Sequence, residues 1–161
     1  MECPYFPYHY YPDQLDSLPE KIEITPVATP IQILIVDDHS MMLNALKSLL
    51  PHDSSIKVAG TATSGPEAEE KYEQLHPDVV IMDVYMKPVT GIETTKNIIQ
   101  QHPEAKVLGL SNSYSAEDSE ELLKTGARGY IIKTAPLDVI VSCIKKVHAG
   151  ELCFEGDDFT S

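Results

Sequence analysis

Ile33-Leu34-Ile35-Val36-Asp37-Asp38 sets four consecutive apolar residues against two adjacent carboxylates. A short, continuous apolar run reads as a strand buried on both faces, because a strand with one wet face would alternate apolar and polar residues. The next segment changes period. Met42, Leu43, Leu46, Leu49 and Leu50 recur along a helical stripe, Ser40 stands where a cap is expected, and Pro51 closes the segment. Buried strand, helix, then a further strand is the repeating unit of a parallel sheet covered on both faces.

The alternation continues down the chain. Ile56–Ala62 is the second strand, the least apolar because of Lys57, and suits an edge. Gly65–Leu75 reads as a helix burying Ala68, Tyr72 and Leu75 while Glu69, Glu70 and Glu73 face water. Residues 79 to 82 form a third strand terminating at Asp83, and a loop with Pro88 and Gly91 leads into a helix over 92 to 101, bounded by Pro103. Residues 107 to 110 form a fourth strand terminating at Ser111. A polar helix, Ala116–Thr125, stops at Gly126, and Tyr130-Ile131-Ile132 makes a fifth strand ending at Lys133. The last helix, 137 to 149, places Leu137, Ile140, Val141, Ile144 and Val147 on one face, with Gly150 as its stop. Right-handed crossovers then give an α/β fold, a doubly wound (βα)5 parallel sheet of flavodoxin-like type, for which the strand order 2-1-3-4-5 is expected.

A chain of 161 residues, 42% hydrophobic and 23% charged, has ordinary globular composition and room for one domain with appendages. Residues 1 to 30 interleave Pro4, Pro7, Pro12, Pro19, Pro26 and Pro30 with Tyr5, Tyr8, Tyr10 and Tyr11. Proline at that density defeats helix and central strand, so this stretch reads as a disordered leader, with a partner-docking arm as the other reading. Residues 31 to 150 make the domain, and 151 to 161 a short acidic tail. The net charge of −13 repels nucleic-acid phosphates, so direct DNA binding by this chain is not expected. Cys3, Cys143 and Cys153 contain no CxxC pair and suggest neither zinc nor a disulfide framework, so reduced thiols are expected. No apolar run reaches transmembrane length and no secretory signal opens the chain, which leaves the cytoplasm as the expected compartment and no membrane as a partner.

Function is expected at the carboxyl ends of the strands, where Asp37, Asp38, Asp83, Ser111 and Lys133 converge on one rim. Carboxylates about 4 Å apart repel by roughly 4 kcal/mol per pair at an effective dielectric near 20, so a cation must sit among them. Hard oxygen ligands suit Mg²⁺, with Mn²⁺ as a substitute. Such a site suits attack of an Asp83 oxygen on phosphorus while Lys133 and the Ser111 hydroxyl hold the other phosphoryl oxygens. The product is an aspartyl phosphate, a mixed anhydride open to water, so the chain promotes its own phosphorylation and dephosphorylation rather than acting as an enzyme on a separate substrate. Each residue alone has a bland reading: a helix cap for the Asp pair, a turn residue for Ser111, a solvated surface lysine for Lys133. Their joint occurrence in this order is what carries the argument.

Ile-Leu-Ile-Val-Asp-Asp-His (33 to 39), Val-Val-Ile-Met-Asp-Val-Tyr-Met (79 to 86), Leu-Ser-Asn-Ser (110 to 113) and Gly-Tyr-Ile-Ile-Lys (129 to 133) resemble the response-regulator receiver family of two-component signalling, over roughly residues 31 to 150. The resemblance implies a CheY-like fold, Asp83 as phosphoacceptor, and Asp37 and Asp38 as the acidic pair around Mg²⁺. It also implies the Tyr85 backbone carbonyl as a further metal ligand, Ser111 and Lys133 as the hydroxyl and lysine of the site, and Tyr130 as the switch aromatic. The implied partners are a sensor histidine kinase or phosphotransfer protein, and a second copy of the chain on phosphorylation. Output would pass through the surface made by the 116 to 125 helix, the fifth strand and the last helix.

The Asp-Asp-His opening and Lys145-Lys146-Val147-His148-Ala149-Gly150-Glu151 resemble the NarL/LuxR-type subclass, whose receivers usually precede a helix-turn-helix domain. None is read up to Ser161, so the expectation is a stand-alone receiver or part of a longer regulator. Two departures from the family pattern stand out: Lys87 between Met86 and Pro88, and Thr134 rather than Pro after Lys133, where a cis bond would cost about 3 to 4 kcal/mol and is not expected. A haloacid-dehalogenase-type phosphatase would need an Asp-x-Asp element after the first strand, and a flavodoxin-like flavin binder a glycine- and hydroxyl-rich phosphate loop there. A degenerate receiver acting as a constitutive interaction module is the third alternative.

Overall fold

The computed structural model describes residues 28 to 154, so all but the last three residues of the expected leader and all but the start of the expected tail lie outside the described residues. Within them, strands β1 (Ile31–Val36), β2 (Ile56–Ala62), β3 (Val79–Asp83), β4 (Val107–Ser111) and β5 (Gly129–Ile132) alternate with helices α1 (Ser40–Leu49), α2 (Gly65–Leu75), α3 (Gly91–Gln101), α4 (Ala116–Thr125) and α5 (Leu137–His148). A short β6 (Cys153–Phe154) follows α5. All strand pairs are parallel, in the order β2-β1-β3-β4-β5-β6. The expected order and the edge position of β2 are therefore found, with β6 added at the opposite edge.

The period-2 geometry of the strands explains the two layers of helices. Ile33, Ile35, Ile81, Leu108 and Ile131 share one core with Leu43 and Leu46 of α1 and Ile140, Ile144 and Val147 of α5. Leu34, Val36, Val80, Met82 and Tyr130 fill the other, against Tyr72 of α2, Ile98 of α3 and Leu122 of α4. Every residue of β3 and β4 is buried, which is why these segments show no polar alternation in sequence.

Several local expectations are corrected. Ser40 is the first residue of α1 rather than its cap; His39 takes that position, in extended conformation and without a side-chain capping bond. Leu49 is exposed, because a 3-10 turn over Leu50–His52 turns Leu50 inward instead. Leu75 is also exposed: it overhangs the edge strand at Gly60, where a Cβ would meet its side chain at 2.7 Å. Ser64, Thr90 and Ser115 supply side-chain caps to α2, α3 and α4, each accepting from a backbone N–H three residues on.

The cysteines are the largest correction. Cys143 and Cys153 form a disulfide with their Cα atoms 5.7 Å apart, within the ordinary range for such bridges. Cys143 lies on the buried face of α5, and the reversal at Gly150, which takes a positive φ of 89°, returns the chain so that β6 lies beside β5 under that face. Spacing alone could not show this, since the bridge depends on where α5 stops. A bridge closing so short a loop stabilises by roughly 2 to 3 kcal/mol in the chain-entropy account. Reduction of the wild-type protein is accordingly expected to lower its denaturation midpoint, and Cys153→Ser to start from the lower value and ignore reductant; an unmoved wild-type midpoint would contradict this.

Candidate functional site

Parallel register brings the carboxyl ends of β1, β3, β4 and β5 side by side: Val36 pairs with Met82, Asp83 with Leu110, and Ser111 with Ile132. Each strand then delivers a polar residue at or just past its last position. Asp37, Asp83, Ser111 and Lys133 are all buried there, while Asp38 and His39 face outward at the rim. Gly91 lets α3 start hard against this end of β3, because a Cβ at that position would lie 1.9 Å from the Asp83 carbonyl oxygen.

Lys133 organises the carboxylates. Its ammonium donates to Asp37 Oδ2 at 2.8 Å and lies 3.2 Å from Asp83 Oδ1. Asp37 Oδ1 accepts the His39 backbone N–H at 2.8 Å, and Asp83 Oδ1 also accepts the Tyr85 N–H at 3.2 Å. Asp83 Oδ2 is buried with no hydrogen-bond partner. Burial first, and then the Asp37 carboxylate, push Asp83 up to about 6, with Lys133 and the Tyr85 amide pulling the other way. One ammonium thus faces two buried carboxylates, one of them carrying an orphaned oxygen, with Asp38 adding a third carboxylate at the rim.

These features fit a divalent cation. Asp37, Asp38, His39 and Asp83 each offer a ligand atom, all within 4.8 Å of one another. His39 was not singled out from the sequence; its place directly after the Asp pair was the available signal. The Lys133–Thr134 bond is trans, and the cis peptide among the described residues is Lys87–Pro88.

Ser111 and Tyr130 meet at one acceptor. The Ser111 hydroxyl donates to the Ser113 carbonyl at 2.8 Å, and the Tyr130 hydroxyl donates to the same oxygen at 3.2 Å while accepting from the Ser115 N–H. Tyr130, the implied switch aromatic, is fully buried. Its ring fills the core between β4, β5 and α4, where Leu122 also packs. Tyr85, whose backbone touches the Asp83 carboxylate, is itself exposed, and its phenol donates to Asp118 of α4. That bond holds the phenol at about 12.

The family model for the response regulator receiver domain matches residues 33–145, and the chain belongs to that family. It is a receiver domain of two-component signalling, and its relatives are of NarL/LuxR type. The transcriptional regulatory protein DegU of Brevibacillus brevis is 37% identical over 120 residues, which cover 74% of this chain and 51% of DegU. A LuxR-family two-component response regulator from Aurantimonas sp. SI85-9A1 is 26% identical, with a TM-score of 0.76 over 80% of this chain and 92% of that one. A chain of the CheX-CheY-BeF3-Mg²⁺ complex from Borrelia burgdorferi is 26% identical, with a TM-score of 0.69 over 74% of this chain and 90% of that one. The chain spans about half the length of the curated relatives it matches. Membership in this family leaves the phosphatase, flavin-binding and degenerate-receiver alternatives without support.

The raised Asp83 pKa has a sign that can be measured. Without metal, the folded state binds this proton more tightly than the unfolded chain, so stability falls as pH rises from 3.8 to about 6 and the loss is complete above that. Two units correspond to at most about 3 kcal/mol. Asp83→Asn removes the penalty and leaves Lys133 paired with Asp37. It is expected to raise the denaturation midpoint in EDTA at pH 7.5, with the gain shrinking toward pH 4; a destabilised variant at both pH values would refute the assignment of strain to Asp83.

Proposed function

We propose that Asp83 accepts a phosphoryl group from the phosphohistidine of a sensor histidine kinase or phosphotransfer protein, and that this event resets the surface of α4, β5 and α5. The orphaned, buried Oδ2 of Asp83, whose companion Oδ1 lies 3.2 Å from the Lys133 ammonium, carries this reading. A carboxylate oxygen without a donor keeps a lone pair for attack. As the O–P bond forms, the phosphorus–nitrogen bond of the donor breaks and the imidazole leaves. Lys133 takes up charge on the phosphoryl oxygens, and the Ser111 hydroxyl supplies a second donor by turning from the Ser113 carbonyl. A Mg²⁺ held by Asp37, Asp38, Asp83 and the Tyr85 carbonyl, or Mn²⁺ in its place, would offset the phosphoryl charge. Asp38 suits the role of principal ligand from β1, because both oxygens of Asp37 already accept hydrogen bonds. Attack of water on the same phosphorus returns the carboxylate and free phosphate, so the signal limits itself.

The shared acceptor suggests how chemistry reaches the surface. Ser111 leaving the Ser113 carbonyl removes one of its two donors, and Tyr130 and the 113 to 115 loop must readjust. α4 begins at the end of this loop and anchors itself in the core through Leu122, so it resists little. The output proposed is a partner protein or a second copy of the chain, in the cytoplasm; no helix among the described residues is long and apolar enough to cross a membrane.

Intact-mass measurement after incubation with Mg²⁺ and acetyl phosphate should show one hydroxylamine-labile phosphoryl adduct, absent from Asp83→Asn. An equally abundant labile adduct on the variant would sink the assignment. Amide and methyl NMR with beryllofluoride should show shifts concentrated from Ser111 to Lys133 and in α4, and Tyr130→Ala should uncouple the α4 shifts from the pocket. Shifts spread evenly into α1 and α2 would remove the proposed route.

A further inference from the structure

We propose that His39 Nδ1 is a ligand of the ion at the acidic rim and biases the site toward nitrogen-accepting first-row divalent ions over Mg²⁺; the proposal rests on the metal-dependent reading above. An octahedral ion about 2.1 Å from its ligands separates adjacent ligand atoms by about 3.0 Å and opposite ones by about 4.2 Å. His39 Nδ1 lies 2.9 Å from Asp38 Oδ1 and 3.2 Å from Asp37 Oδ1, which are edge distances of such an octahedron. It lies 3.8 Å from Asp83 Oδ2, between edge and diagonal. That oxygen is the buried one without a partner, an independent sign that a positive group belongs between the imidazole and β3.

The local backbone supports the ring in this place. His39 caps α1 in extended conformation, and its N–H is tied to Asp37 Oδ1, so its side chain leaves the chain at the rim rather than along the helix. The side chain is 62% exposed, which leaves an ion a path from solvent and the ring room to settle onto it.

Chemistry then decides the preference. Carboxylates and carbonyls alone suit Mg²⁺ and Mn²⁺ alike, whereas an imidazole nitrogen adds affinity for transition ions and little for Mg²⁺. In this receiver the rim would therefore discriminate among divalent ions through one residue outside the pair, Lys133 and Ser111, that holds the phosphoryl oxygens.

The test uses the full chain stripped of metal, with Mn²⁺ as probe. Pulsed electron paramagnetic resonance of the Mn²⁺-loaded wild type should show nitrogen coupling that changes on ¹⁵N-histidine labelling and is lost in His39→Ala. Calorimetry should show His39→Ala lowering Mn²⁺ affinity about tenfold and Mg²⁺ affinity less than about twofold. Bound Mn²⁺ without nitrogen coupling in the wild type, or equal loss of both affinities in the variant, would overturn the proposal while leaving phosphorylation of Asp83 intact. Mn²⁺ affinity undiminished in Asp38→Ala would place the ion elsewhere and overturn both this proposal and the metal site on which it rests.

Discussion

The insertion of the Lys133 ammonium between the carboxylates of Asp37 and Asp83 is the contact on which the carboxyl rim depends. All three groups are nearly out of water, where an unpaired charge costs several kcal/mol. The arrangement requires β1, β3 and β5 to end at the same level although they are far apart in sequence. Uninterrupted burial along β3 and β4 supplies that precision, because a close-packed sheet between two helical layers cannot slide by a fraction of a residue without opening both cores. The stability of the sheet is thus used to hold a charge imbalance that it would otherwise exclude.

Much of this was legible in the sequence because apolar run length, helical stripe and terminating residue agree for each unit. The positions of β1 to β5 and the convergence of Asp37, Asp38, Asp83, Ser111 and Lys133 follow from that agreement, whereas the strand order came with the flavodoxin-like type. What escaped depends on three-dimensional closure. Leu49 and Leu75 carry the right period but sit at helix ends, where an adjoining 3-10 turn or a neighbouring glycine decides exposure. Cys143 and Cys153 become partners only through the place where α5 stops and the chain turns back. His39 looked like the third letter of a motif, whereas its Nδ1 distances to three carboxylates could be read only from coordinates. The Tyr130 pose and its shared acceptor with Ser111 were likewise hidden, since hydrogen bonds to a loop carbonyl leave no periodic trace.

The receiver's two flanks differ in how firmly they are held. On one side α5 buries Ile140, Cys143, Ile144 and Val147, and the disulfide ties it to β6, which pairs with β5 at Gly129 and Tyr130. Phe154 of β6 packs against the same core as Tyr130. On the other side Leu122 is the buried residue of α4, and the exposed hydrogen bond from Tyr85 reaches its Asp118.

Local opening is cheapest where little apolar area is covered, so a disturbance at the rim is relieved at α4 before it moves α5. Two contacts deliver such a disturbance to that helix: Tyr85, whose amide touches Asp83 and whose phenol reaches Asp118, and the Ser113 carbonyl, which accepts from both Ser111 and Tyr130. Both enter α4 within its first turn, because Asp118 lies in that turn and Ser115 is its cap. In the proposed switch the start of α4 answers to the rim, its far end stays pinned by Leu122 and by the left-handed Gly126 that terminates it, and α5 with β6 forms the fixed side. The bridged β6 edge also closes hydrogen-bonding positions on β5 that another strand would otherwise be free to pair with.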